Sequence, residues 1–176
     1  MAIRTFKGGV HPRYSKDATC TKEIRIMPSP KKVIIPIHQH TGAPCEPIVK
    51  VNDEVKVGQK IGDCGAAITS PIHSSVSGKV KAIRKHPQSS GANVISIIIE
   101  SDGLDTLDES IMSRSNVADL TREELIGIVR EAGIVGLGGA AFPTHFKLTP
   151  PAGKTFDVLV LNGAECEPYL STDHRL

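Results

Sequence analysis

From about residue 23 to residue 100, apolar and polar positions alternate in short runs broken by Gly and Pro: EIRIMP, KKVIIPI, PIVKV, EVKVGQKIG, SGKVKAI and VISIII. A period of two sends successive side chains to opposite faces, so these runs predict short β-strands with one buried side. The segments PIVKVNDEVKVGQKIG and SPIHSSVSGKVKAI repeat one design, an alternating strand, a polar turn with Asn-Asp or Ser-Gly, and a second alternating strand. Two similar halves predict a sandwiched barrel. Residues 101–116, SDGLDTLDESIMSRSN, are polar and acidic and read as a linker or loop-rich join.

The period then lengthens. In LTREELIGIVREAG, Thr121 stands three residues before Glu124 as a capping box, and Leu120 is placed to staple onto Leu125. Leu125, Ile128, Val129 and Ala132 share one helical face, and Gly133 occupies the position of a left-handed C-terminal cap. A glycine-rich stretch follows, then a short helix led by Pro143, then an apolar strand-like run, FDVLVLN, from Phe156 to Asn162. The expected fold class is therefore α+β or α/β, a β-rich region followed by the start of an α/β domain.

Composition narrows the partners. Of 176 residues 39% are hydrophobic but only 3% aromatic, with no Trp, so the core must be built from Val, Ile, Leu and Ala, and base-stacking surfaces for nucleic acid are scarce. No nucleic-acid partner is expected. The net charge of +2 hides an asymmetry: residues 1–32 hold eight Lys and Arg against Asp17 and Glu23, and residues 100–131 hold nine acids against Arg114, Arg122 and Arg130. Such ends could present opposite potentials to partners, or be ordinary solvated surface. The N-terminal stretch lacks the apolar core of a signal peptide, and no run approaches the roughly 20 apolar residues of a spanning helix, so a soluble chain is expected.

Candidate metal chemistry is thin. Cys20, Cys45, Cys64 and Cys166 are scattered without a C-x-x-C pair, which fits a reducing compartment and writes no zinc or cluster site. His38 and His40 form H-x-H, which on a strand would face one way; without a third ligand they read as surface or core-edge histidines, and no metal is expected. His11, His73, His86 and His145 stand alone.

The β-rich pattern resembles the hybrid barrel-sandwich fold of biotinyl and lipoyl carrier domains, where V-K-V-x-D-x-V-x-x-G-Q is a familiar opening. A carrier needs a lysine at an exposed hairpin tip between its halves. The intervening stretch here, DCGAAITSPIHSS from Asp63 to Ser75, contains none, so the carrier chemistry is rejected while the fold resemblance stands.

Two further motifs bear on chemistry. In GIVGLGGAAFPTHFKL, Gly133 to Leu148, the residues Gly136, Gly138 and Ala141 satisfy G-x-G-x-x-A formally, but a dinucleotide fingerprint leaves a strand and this one leaves a capped helix. LTPPAGKT ends like a phosphate loop, yet Leu148 stands where the first glycine is required, so it reads as a turn. The glycines still allow a ligand to meet backbone N–H groups ahead of a helix N-terminus, where phosphate or a flat ring could rest; a packing join between helices explains them equally well. After the expected strand, NGAECEPYLSTDHRL places Glu165 and Glu167 two residues apart with Pro168 stiffening the turn, a pattern that suits hydrogen bonding to ribityl, ribose or carboxamide groups, or is a bland acidic turn.

Together the two motifs resemble the flavin and nucleotide site of the NADH-oxidising flavoprotein subunit of respiratory complex I, with its loop G-R-G-G-A-G-F-P-T-G-x-K and acidic turn N-A-D-E-G-E-P. The wording GLGGAAFPTHFKL and NGAECEPYLSTDHRL, with FKGGVHP and QHTGAPCEPIVKV before them, is similar to the RnfC family, peripheral subunits of Rnf ferredoxin:NAD+ oxidoreductase complexes. The resemblance runs over nearly all of the chain. It implies a barrel-sandwich hybrid-like domain over 1–105, a linker over 106–116, and over 117–176 the truncated beginning of an FMN- and NADH-binding α/β domain of the complex I flavoprotein kind.

By the same resemblance Gly136, Gly138 and Gly139 would line the phosphate and ring of a non-covalent FMN, Ala140 and Phe142 would face NADH, and Lys147 would compensate the FMN phosphate. Asn162 and Glu165 would bind the ribityl and ring side, and Glu167 would lie between flavin and NADH. No catalytic side chain is implied. Leu137, Ala141, Ala164 and Cys166 replace an Arg, a Gly, an Asp and a Gly of the complex I pattern. Two 4Fe-4S clusters are expected downstream of Leu176, so the fragment alone should be inactive. The partners implied are the other Rnf subunits at the cytoplasmic face of the membrane, NAD(H), and ferredoxin indirectly, with ion translocation as the coupled process. The rival reading is a non-catalytic subunit-docking module with a vestigial glycine loop.

Overall fold

A computed structural model describes residues 7–10, 13–137 and 139–175. Its contacts divide the chain into two units, residues 28–155 and a smaller one formed by residues 1–27 with 156–176. The larger unit is mostly strand. Strands β1 (Lys32–Pro36), β6 (Gly78–Pro87), β7 (Asn93–Ser101) and the two-residue β3 (Glu54–Val55) form an antiparallel sheet in the order β1-β7-β6-β3. The short strands β2 (Glu46–Pro47), β4 (Lys60–Asp63) and β5 (Ile72–His73) form a second antiparallel sheet in the order β2-β4-β5.

Both sheets contribute to one aliphatic core. Ile35, Val55, Val80, Ile97 and Ile99 come from the first sheet and Ile61 and Ile72 from the second, with Ile37, Cys45, Val49 and Val76 from the connections. The register explains the alternation, because Ile35 lies opposite Ile97, and Val33 and Val80 lie opposite Ile99, stacking one face of three neighbouring strands. Between Val80 and Ala82 the register shifts, a bulge that lets the ten-residue β6 bend while β7 stays in pairing. The expected barrel sandwich is present and the aromatic-poor core is filled by Ile and Val, as the composition requires.

The acidic stretch after β7 lies along the barrel. Val57 N–H donates to Thr106 O and Asp108 N–H to Val57 O, both at 2.9 Å, and Thr106 N–H donates to Ser77 Oγ at 2.9 Å. Lys56 pairs with Glu109 beside these bonds.

Helix α1 (Arg122–Glu131) carries the expected capping box: Glu124 N–H donates to Thr121 Oγ1 at 3.3 Å and Thr121 N–H donates to Glu124 Oε2 at 2.8 Å. No residue of α1 is buried; its apolar face is only half covered. Four charged side chains hold it instead. Arg130 Nη2 reaches Asp63 Oδ1 at 3.0 Å and Cys64 O at 3.2 Å, Lys60 Nζ reaches Asp63 at 3.1 Å, Lys60 also pairs with Glu131, and Arg130 pairs with Glu131 at 2.5 Å.

Two expected strands are corrected. EIRIMP forms no strand: Ile24, Ile26 and Met27 are 75%, 93% and 73% exposed, in irregular chain leading into Pro28 and Pro30. Prolines donate nothing to a ladder, and alternation alone supplies no partner. Likewise Phe156–Asn162 pairs with no strand among the described residues, and Val160 and Leu161 are 81% and 85% exposed. An apolar strand persists only when neighbours complete its ladder and cover its faces. PIVKV contributes only Pro47 to a ladder, as part of β2. The H-x-H pair is not on a strand either, and its two rings, edge to face at 6.1 Å, differ in exposure: His38 is exposed and His40 is buried.

Candidate functional site

The glycine loop begins where α1 stops. Ala132 caps the helix, Gly133 N–H donates to Arg130 O at 2.9 Å, and Ile134 N–H donates to Val129 O at 3.4 Å, the paired bonds of a Schellman end. Gly133 is left-handed with φ +71°, and a Cβ there would stand 2.5 Å from Pro71 O and 3.1 Å from His73 Nδ1. Only glycine meets both demands, so the helix end is seated on β5 and the residue before it.

Past that seat the loop closes on itself. Thr144 N–H donates to Ile134 O and Gly136 N–H to Phe142 O, each at 3.0 Å, and Val135 bridges Pro143. Helix α2 (Thr144–Lys147) then starts at Pro143 as expected, with the Phe142 and Phe146 rings packed edge to face at 5.7 Å. The turn read into LTPPAGKT is present, with Lys154 N–H donating to Pro151 O at 3.0 Å and Gly153 at φ +73°.

Within the loop, Lys147 turns its ammonium over Gly136: a Cβ on Gly136 would lie 2.9 Å from Lys147 Nζ. Around the Cβ position of Gly139 nothing lies within 4 Å. A cation thus stands over one side-chain-free residue while another faces open space. Ala140 is exposed and Phe142 half-buried. Gly138 lies outside the described residues.

Thr41, on the barrel, touches this loop. Its N–H donates to Ala141 O at 3.2 Å and its Oγ1 donates to Ala140 O. No role at the loop is expected of Thr41 from the sequence, because 99 residues separate it from Ala140.

The acidic turn belongs to the smaller unit. Asn162 Oδ1 accepts from Ala164 N–H at 2.9 Å, and Glu165 Oε1 accepts from His174 N–H of α3 (Thr172–Arg175) at 3.1 Å. Glu167 is exposed, with its carbonyl accepting from Leu170 N–H at 3.2 Å. The N-terminal segment packs against the residues that follow: Ser15 N–H donates to Pro168 O at 3.1 Å, Lys16 Nζ to Leu170 O at 2.6 Å, and Ser171 Oγ to Thr19 Oγ1 at 3.2 Å. The basic terminus is therefore partly consumed in holding this turn.

Charge perturbation concentrates at the helix seat. Burial opposes ionising Asp63, but hydrogen bonds from Lys60, Cys64 N–H and Arg130 outweigh it, and its pKa falls below the ordinary 3.8. Burial and the Lys60 charge lower His73 below 6.5, against the pull of Glu131. Burial also lowers His40, against the pull of the Ala43 carbonyl, and its Nε2 lies 3.1 Å from Ser70 N and 3.2 Å from Ala43 O. Among the described residues no three His, Cys, Asp or Glu side chains are grouped to hold a metal, and no helix is long and apolar enough to cross a membrane.

Residues 4–104 match the family profile of the RnfC barrel sandwich hybrid domain, and residues 129–176 match that of the Nuo51 FMN-binding domain. A subunit of the Na(+)-translocating ferredoxin:NAD(+) oxidoreductase complex of Acetobacterium woodii is 51% identical over 172 residues, 98% of this chain and 39% of that protein. Its counterpart in the proton-translocating complex of Clostridium ljungdahlii is 50% identical over 98% of the chain and 38% of its own length. A subunit of the ion-translocating oxidoreductase complex of Rhodobacter capsulatus is 41% identical over 98% of the chain and 33% of its own length. The chain thus spans well under half the length of these relatives.

Proposed function

The chain belongs to the RnfC barrel sandwich hybrid domain family, and from that premise we propose that it is part of a peripheral subunit of a membrane-associated electron-transfer complex. The whole protein would couple electron transfer between ferredoxin and NAD(H) to ion translocation, with FMN and two 4Fe-4S clusters as carriers. The described cysteines are not grouped for a cluster, so the clusters would be held by residues of the subunit outside this chain. In this reading residues 1–105 are the barrel domain, 106–116 the join, and 117–176 the first part of an α/β FMN- and NADH-binding domain, an assignment supported by the Nuo51 profile over 129–176.

The observation that carries the proposal is the placement of Lys147 Nζ over Gly136, in the same loop as the unobstructed Gly139. FMN, when bound, supplies the exchange between two-electron and one-electron chemistry. The chain's own part is to bind and orient. Lys147 would neutralise the phosphate, Gly136, Gly138 and Gly139 would allow phosphate and ring to approach the backbone, and Ala140 and Phe142 would face the nicotinamide nucleotide. Asn162 and Glu165 would hold the ribityl and ring side, and Glu167 would sit between the two nucleotides. The Glu165 carboxylate, already accepting from His174 N–H, is oriented before any ligand arrives.

Titrating the full-length protein with FMN and NADH tests this. Gly139→Val should abolish flavin retention, because the side chain enters the open face, and Glu167→Gln should weaken NADH oxidation while flavin stays bound. Unchanged flavin content and unchanged NADH oxidation in both variants would overturn the reading.

A further inference from the structure

The proposed flavin loop is held by the barrel domain. Thr41 makes two hydrogen bonds to consecutive loop carbonyls, its N–H to Ala141 O at 3.2 Å and its Oγ1 to Ala140 O. In a trans peptide the C=O and the N–H of the same unit point in opposite directions. Fixing Ala140 O and Ala141 O on Thr41 therefore turns the N–H groups of Ala141 and Phe142 away from the barrel. Phe142 N is on the Gly136 side of the loop, 4.0 Å from where a Gly136 Cβ would stand, a point 2.9 Å from Lys147 Nζ. Thr41 thus helps aim backbone donors at the region where the lysine ammonium sits.

The loop needs such a hold. Ala141 has φ +50°, a left-handed conformation that is unfavourable for an alanine and persists only where its surroundings enforce it. Thr41 is suited to enforce it because the chain on either side of it is tied down. His40 before it is buried with its Nε2 3.1 Å from Ser70 N, and beyond Gly42 the Ala43 N–H donates to Ile68 O at 2.9 Å.

We propose that Thr41 is a positioning residue for the FMN site, through which the barrel domain sets the backbone orientation of residues 140–142. The proposal rests on the flavin reading given above. Its test is equilibrium titration of the full-length apoprotein with FMN, alongside urea unfolding. Thr41→Val keeps the shape and the backbone N–H but loses the hydroxyl donor, and should weaken FMN binding about five- to tenfold, the ordinary worth of one hydrogen bond. Thr41→Ser restores the donor and should recover binding to within about twofold. Thr41→Val should lower the unfolding midpoint no more than the loss of one exposed hydrogen bond does, and Thr41→Ser should leave it unchanged. A loss of FMN affinity measured where both proteins are fully folded separates positioning from general destabilisation. FMN affinity in Thr41→Val equal to wild type, with Gly139→Val binding none, overturns the role of Thr41 and leaves the flavin site standing. Equal loss of affinity in Val and Ser variants also overturns it. Wild-type protein that binds no FMN, or a Gly139→Val variant that binds it normally, overturns the flavin reading and this inference with it.

Discussion

Gly133→Ala and Gly127→Ala are the same chemical change six residues apart, and the structure assigns them opposite signs. At Gly133 the new methyl group meets a left-handed backbone, φ +71°, and a Cβ position 2.5 Å from Pro71 O. The conformation costs about 1–2 kcal/mol for an alanine, and forcing a methyl into a packed seat costs about 1–3 kcal/mol. Restricting the unfolded chain returns roughly 0.4–1 kcal/mol, so the net loss is about 2–4 kcal/mol. For a domain of this size that lowers the thermal midpoint by roughly 4–16 °C. At Gly127, inside α1, nothing lies within 4 Å of the added carbon, and the backbone is already helical, so alanine should stabilise by about 0.5–1 kcal/mol. Circular dichroism melts of the two variants beside wild type measure both signs in one experiment. The coupling to function follows from position: Gly133 is where the glycine loop is seated on the barrel, so its variant should also lose flavin before it loses secondary structure. Equal midpoints for Gly133→Ala and wild type would refute the seating argument.

The remaining predictions concern charge. His40 and His73 both have folded pKa values below the ordinary 6.5, so protons bind the unfolded chain more readily, and their stability contribution is complete above about pH 6.5 and lost as pH falls through the folded values. Urea midpoints should therefore drop between about pH 7 and pH 5, and His40→Gln should flatten that slope; an identical slope in the variant would contradict the assignment. Arg130→Leu removes the bonds to Asp63, Cys64 O and Glu131 that hold the end of α1, and should cost roughly 1–2 kcal/mol, less in high salt because the group is partly exposed. Hydrogen exchange should then quicken in α1 and the glycine loop before it does in β6 and β7, and uniform quickening would argue against a local clamp.

What could be read from the sequence was whatever depends on neighbours a few residues away. The capping box joins Thr121 to Glu124, the Schellman end joins Val129 to Ile134, and the turn joins Pro151 to Lys154, so each is closed by residues inside its own motif. The long strands β1, β6 and β7 were legible because a one-face alternation of Ile and Val has a single economical partner, another such strand. The same alternation misled at EIRIMP and at FDVLVLN, where apolar periodicity exists but no neighbouring strand completes it among the described residues. Pattern states what a segment would bury, and only the tertiary structure decides whether anything is there to bury it. The H-x-H pair shows this at single-residue scale: two histidines two apart were resolved into one exposed ring and one buried beside Ser70, 30 residues on in the chain. The candidate site divides along the same line. Its glycines, Lys147, Asn162, Glu165 and Glu167 are visible as residue types at a spacing. That Lys147 hangs over Gly136, that Gly133 rests on Pro71, and that Thr41 holds the carbonyls of Ala140 and Ala141 are decided by contacts across 11 to 100 residues, where direction in space rather than order along the chain determines which groups meet.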